Sequence, residues 1–207
     1  MAAFVALSRQ LILASTSRYR RELLERLRLP FSVASPEVDE TPQQGEAPID
    51  LAMRLARAKA RAVAVNHPGS VVIGSDQVAT LDGAPIGKPG DFAHAFEQLS
   101  AMRGKSVEFH TAVAIDDGQR VESANVVTRC VLRHVSDQAL AAYLHAETPY
   151  DCAGSAKAEA LGIALMERID SDDPTALIGL PLIAVTRMLA TFGLDPLDHL
   201  PPPGAQP

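Results

Sequence analysis

Residues Leu11 to Leu24 read LILASTSRYRRELL, an apolar run, three hydroxyl residues and then a stretch at helical spacing that opens with Arg18, Arg20 and Arg21. An apolar segment stopped by Ser/Thr and followed by an apolar stripe is a strand feeding a helix. That unit commits the chain to layers in which strands and helices mix. It also poses an electrostatic problem. A helix N-terminus is already electropositive, so each exposed basic residue there costs roughly 0.3–1 kcal/mol. Either Ser15, Thr16 or Ser17 caps an ordinary helix with solvated arginines, or the free N–H groups and the arginines share an anion. The arginine density favours the anion.

The same mixture continues along the chain. Gln10 to Ala14 and Phe31 to Ala34 read as strands around a helix from Tyr19 to Leu29, which Pro30 stops. A proline-bearing acidic loop, Pro36 to Pro48, leads to a helix over Ile49 to Asn66. SVVIG, Ser70 to Gly74, is the clearest buried strand. Asp91 to Met102, Ser136 to Ala146 and Leu182 to Phe192 have helical patterns, and Val107 to Asp116 pairs with Val121 to Leu132 through an Asp117-Gly118 turn. DCAGSAKAEALG reads mostly as loop and Leu161 to Met166 as a strand. The fold class is therefore α/β, a mixed sheet flanked by helices.

Five places carry chemistry-bearing residues. The first is the Ser15–Arg20 stretch. In GSDQVA, Asp76 follows SVVIG and falls at the carboxyl end of that strand, where it either binds a metal, activates water or simply closes a turn. Lys88 stands in the rigid turn GKPG, and Asp39 and Glu40 lie in the loop VDE, where carboxylates bind a cation or face water. Lys59 sits in an amphipathic helix, where a surface lysine is the ordinary reading. P-loop, dinucleotide, zinc-protease and nucleophile-elbow motifs are all missing from the sequence. What remains is an anion pocket of Arg, Lys and Ser with carboxylates nearby, a set suited to metal-assisted attack on a phosphate chain.

A net charge of -6 argues against a nucleic-acid polymer as partner, though not against a small anion in a local basic pocket. Cys130 and Cys152 have no metal spacing and read as free thiols. Arg9 interrupts the early apolar run, and no segment is long enough to span a membrane, so the cytoplasm is the expected location.

Taken in order, LASTSRYRRELL, PEVDE, RLARAKA, IGSDQV, GKPG, CAGSAKAEALGI and DPTALIGLPL resemble the Maf family of nucleoside triphosphate pyrophosphatases, from Leu11 to Leu194. Tyr19, Gln77 and the DCAGSAKAEALGI stretch look most like the branch that hydrolyses 7-methyl-GTP. The dTTP/UTP branch carries Arg, Thr and Gln at the matching positions.

The resemblance implies a two-lobed Maf/ITPase-like fold with a central cleft. It implies one domain over residues 1–197; the tail, 198–207, is by its own composition too proline-rich to pack. It also implies cleavage of a nucleoside triphosphate to the monophosphate and pyrophosphate, a divalent cation (Mg²⁺ or Mn²⁺), and a homodimer. By position, Asp76 matches the proton acceptor and, with Glu40, the metal ligands; Ser15, Arg20, Lys59 and Lys88 match the phosphate-binding set; Tyr19, Gln77 and Glu159 match the residues that set base specificity. Other activities open to such a chain are dTTP/UTP hydrolysis and nucleotide-dependent regulation of septum formation. Four positions depart from the family pattern: Arg18 replaces proline, Ala156 replaces Phe, and Ala160-Leu161 replaces Gly-Phe.

Overall fold

The computed structural model describes residues 7–200. From residue 201 on, the expected tail lies outside the described residues. Strand β1 (Leu11–Ala14) is buried along its whole length, lying parallel between β2 (Phe31–Ala34) and β3 (Val71–Leu81). Short β4 (Ala84–Ile86) folds back on β3, and β5 (Ser106–Asp116), β6 (Val121–Leu132) and β7 (Met166–Ser171) continue the sheet antiparallel. The strand order is β2-β1-β3-β5-β6-β7, a mixed sheet as the sequence predicts. The helices around it are α1 (Arg18–Glu25), α2 (Pro48–Ala64), α3 (Phe92–Met102), α4 (Asp137–Glu147) and α5 (Leu182–Thr191).

β3 organises the molecule. One edge pairs with β5 from Val72 to Leu81. The other edge pairs with β1 only from Val71 to Gly74, and with β4 only from Ala79 to Leu81. Ser75, Asp76, Gln77 and Val78 therefore lie in a gap, because β1 has ended and β4 has not yet begun. A cleft opens where a sheet loses a strand neighbour, as at the strand ends of other α/β proteins.

Side chains alternate across a strand, and β3 uses both faces. On one face, Ile73, Val113 and Ile115 pack with Leu23, Leu24 and Leu189 from α1 and α5. Further along that face, Ala79, Val107 and Phe109 pack with Leu99 and Leu140 from α3 and α4. Between the two apolar clusters stand Ser75, Gln77 and Thr111, the seam between the lobes. The opposite face meets α2. Gly74 permits this close seat: a Cβ there would come within 2.3 Å of Ala56 O and 2.5 Å of Ala60 N.

Several boundaries differ from the sequence reading. α1 ends at Glu25 rather than Leu29, because Arg26, Leu27 and Arg28 donate to carbonyls three residues back and Arg28 turns left-handed (φ 56°). β3 runs on to Leu81 because β5 pairs it throughout, so Asp76 lies inside the strand and not at its end. Residues Leu161–Leu165 form a 3₁₀ turn rather than a strand; pairing to β6 starts only at Met166. The stretch 151–160 is largely loop, with one 3₁₀ turn at Ala153–Ser155. Among the described residues no helix is long and apolar enough to cross a membrane.

Candidate active site

The gap beside β3 opens into a cavity of about 580 Å³, within the size range of small-molecule sites. Ser15, Tyr19, Arg20, Glu40, Lys59, Asp76, Gln77, Lys88 and Glu159 line it, whereas Asp39, the other carboxylate of the VDE loop, does not. They arrive from α1, α2, β3 and four loops.

One group gathers around Lys59. This lysine is buried (6 % exposed), against the surface reading of its helix. Its Nζ lies 2.7 Å from Asp76 Oδ1 and 2.7 Å from Glu40 Oε1. Asp76 is thus held by an ammonium rather than by the backbone N–H groups of a turn. No hydrogen bond within the described residues uses its Oδ2. Arg20 projects from the first turn of α1, and its Nε donates to Gly179 O at 2.9 Å. Its Nη atoms have no protein partner among the described residues. Burial pulls its pKa down while Asp76 and Glu40 pull it up; an arginine stays cationic in either case. Ser17 caps α1 by accepting from Arg20 N, and Ser15 Oγ accepts from Ser17 N at 3.1 Å. The first turn holds no acidic residue, so nothing within α1 itself offsets the dipole and Arg20 where they face the cavity. Lys88 stands exposed on the rim.

The second group surrounds Tyr19. The Arg18 guanidinium lies 4.7 Å from the Tyr19 ring centroid, and Arg18 Nη2 donates to the Tyr19 hydroxyl at 2.8 Å. Burial raises the Tyr19 pKa against that hydrogen bond, so the phenol stays neutral at physiological pH. Gln77 Nε2 donates to Thr111 Oγ1 (2.9 Å), Ala176 O (3.0 Å) and Leu177 O (3.1 Å). With its amide hydrogens committed, the group it offers the cavity is the carbonyl Oε1, an acceptor. Glu159 is exposed in the loop after α4, and no hydrogen bond engages its carboxylate among the described residues. Asp76 and Gln77 are sequence neighbours on opposite faces of β3, and the cavity wraps around the unpaired edge to reach both.

Residues 10–192 match the sequence profile of the Maf-like protein family. The chain belongs to the Maf family. It is 68% identical over 196 residues to the 7-methyl-GTP pyrophosphatase of Bordetella pertussis, an alignment covering 95% of this chain and 98% of that one. It is 61% identical over 201 residues to the 7-methyl-GTP pyrophosphatase of Burkholderia pseudomallei strain 1710b, covering 95% of this chain and 93% of that one. Among solved structures, the Staphylococcus aureus Ham1 protein aligns with a TM-score of 0.43 at 14% identity, over 61% of this chain and 73% of that one.

The Maf cleft is also backed and walled by residues that the sequence did not bring forward. Ser75 is fully buried, its Oγ 2.8 Å from Ala112 O and 3.0 Å from Gly179 O. Thr111 Oγ1 donates to Ala176 O at 2.9 Å. Polar residues two apart inside an apolar strand, Ser75 and Gln77, are the signal that marks them. Ser35, Pro36 and Leu177 to Gly179 complete the wall, and only the structure brings them there. Cys152 lines the cavity as a free thiol, and burial pushes its pKa up to about 11. Cys130 is free, buried, and higher still at about 12. Neither is poised as a nucleophile.

Proposed function

We propose that this Maf chain hydrolyses 7-methyl-GTP to 7-methyl-GMP and pyrophosphate. One observation carries the reading: a cationic group around Lys59 and Arg20 and an aromatic, acceptor-lined group around Tyr19 face a single cleft. The names of relatives at 61–68% identity support the same substrate.

The first group suits a triphosphate. Arg20, Lys59 and Lys88 neutralise its charge, and Ser15 adds a hydroxyl and the helix start beside it. Asp76 Oδ2 takes the proton of a water whose oxygen adds to phosphorus as the α–β anhydride bond breaks and pyrophosphate leaves. Asp76 and Glu40 are also the proposed metal ligands. Among the described residues no cluster of three or more His, Cys, Asp or Glu side chains forms a dedicated metal cage. Two carboxylates converging on one cation nevertheless fit Mg²⁺ or Mn²⁺, hard ions that use one or two carboxylates together with substrate phosphates. Such an ion, when bound, supplies positive charge to the departing phosphates.

The second group suits a cationic purine. 7-Methylguanine carries positive charge, so stacking on Tyr19 gains cation–π attraction of roughly 0.5–2 kcal/mol. Its N1–H and N2–H donors match Glu159 and the Gln77 carbonyl oxygen. The same reading makes the enzyme a cytoplasmic homodimer.

The deciding experiment measures pyrophosphate release from 7-methyl-GTP, GTP, dTTP and UTP with and without Mg²⁺ or Mn²⁺. The expected result is a clear preference for 7-methyl-GTP that depends on metal. Equal rates on UTP would overturn the base assignment. Binding without turnover of any triphosphate would point to a regulator.

A further inference from the structure

The motif DPTALIGLPL has entered the site so far only through the backbone of residues 176–179, yet it also contains a buried carboxylate with both oxygens engaged. Asp173 is 2 % exposed. Its Oδ1 accepts from Thr175 N (3.0 Å) and from the Thr175 hydroxyl (2.6 Å), and its Oδ2 accepts from Ile183 N (2.7 Å). Thr175 Oγ1 in turn accepts from Leu182 N at 2.8 Å and has Leu180 O within 2.9 Å. Pro181, the N-cap residue of α5, has no side-chain oxygen to offer the helix. Asp173 and Thr175 cap α5 instead, from the preceding loop.

The knot closes a loop that turns three of its carbonyls toward side chains of the cleft wall. Ala176 O and Leu177 O receive Gln77 Nε2, and Gly179 O receives Arg20 Nε and Ser75 Oγ. Gly179 sits at φ 122°, a conformation that side-chain-bearing residues rarely adopt, so the loop geometry is tightly specified. One loop thereby orients two side chains from different elements, Arg20 on α1 and Gln77 on β3. In the proposed reading these serve opposite ends of the substrate.

We infer that Asp173 and Thr175 are positioning residues that set phosphate recognition and base recognition together, by fixing the carbonyls of residues 176–179. This inference rests on the proposed assignment of Arg20 to phosphate and Gln77 to base. Neither Asp173 nor Thr175 lines the cleft, so neither touches substrate.

The test separates the two ends with two probes, inorganic triphosphate and 7-methylguanosine, titrated calorimetrically against full-length variants well below their melting temperatures. Asp173→Asn and Thr175→Val are expected to weaken both probes in parallel, by about tenfold or more, the scale of a misplaced binding group. Thr175→Ser keeps the hydroxyl and is expected to bind both as the wild type does. As controls, Arg20→Ala weakens only triphosphate and Tyr19→Ala only the nucleoside. If Asp173→Asn does not fold, the Thr175 pair decides. A lowered melting temperature with both affinities intact, or loss of one probe alone, overturns the inference. If the wild type ignores 7-methylguanosine, the base assignment fails instead, and the nucleoside of whichever triphosphate is hydrolysed becomes the second probe.

Discussion

Lys59 Nζ stands 2.7 Å from Asp76 Oδ1, and the two side chains are only 7 % and 12 % exposed. Glu40, the second partner of the same ammonium at 2.7 Å, is 59 % exposed. A desolvated pair and a solvent-exposed third charge form a site that can exchange partners when a phosphate or cation arrives. Replacement of Lys59 by Met leaves two carboxylates converging without a cation. We expect kcat/KM to fall by about 10²–10³, the usual cost of removing one charge-stabilising group. Mn²⁺ binding without nucleotide, followed by electron paramagnetic resonance, should tighten. Unchanged kcat/KM would remove Lys59 from the phosphate end.

Asp76→Asn keeps the volume and the Lys59 contact but removes the base. Pyrophosphate release should drop by about 10²–10⁴, the range of general-base contributions. The melting temperature should stay close to wild type, because Glu40 still pairs with Lys59. Turnover at the wild-type rate would refute the assigned proton acceptor.

Gly74→Ala would push a methyl group into Ala56 O and Ala60 N. Overpacking of this kind costs about 1–3 kcal/mol. In a chain of this size the melting midpoint falls by about 2–4 °C per kcal/mol. Activity should fall further than stability explains, since α2 carries Lys59 and would move with respect to Asp76. Calorimetry and kcat measured on the same variant check both.

At alkaline pH three weak acids matter, two buried (Cys130, Tyr143) and one half-buried (Cys152). Burial raises Cys152 to about 11, and Cys130 and Tyr143 to about 12. The folded chain therefore holds these protons at pH values where the unfolded chain releases them. Their contribution is fully present below the unfolded pKa values, from pH 9 for the thiols, and is lost as pH rises through the folded ones. Melting temperature should decline between pH 9 and 11, and a Cys130→Ala, Cys152→Ala double variant should show a shallower decline. Iodoacetamide at pH 8 should label native Cys152 far more slowly than the unfolded chain.

The strand-and-helix mixture was legible because its signals are local: apolar runs, a Ser/Thr cap before α1, an Asp117-Gly118 turn. The site residues were legible because their motifs are short and ordered, and all of them reach one cleft. What sequence hid is non-local. Lys59 looked like a surface residue because only the packing of α2 on Gly74 buries it. Asp76 seemed to end a strand because the partner that prolongs β3 lies thirty-odd residues downstream. The carbonyls at 176–179 were invisible, since backbone acceptors leave no mark in a sequence. The three arginines of the opening stretch proved to have three separate fates: Arg18 covers Tyr19, Arg20 enters the cleft, and Arg21 pairs with Glu25 on the surface.

The missing neighbour along Ser75 to Val78 has a consequence for how such a protein can diversify. Of the groups assigned to phosphate chemistry, Asp76 and Lys59 are anchored in the sheet and in α2, where almost any change disturbs the core. Part of the wall assigned to the base, Asp151 to Glu159, comes instead from a loop that pairs with no strand. Substitutions there alter the shape of the opening without disturbing a single ladder bond. A lineage can therefore exchange one nucleobase for another by editing that margin while the machinery for breaking the anhydride is inherited intact.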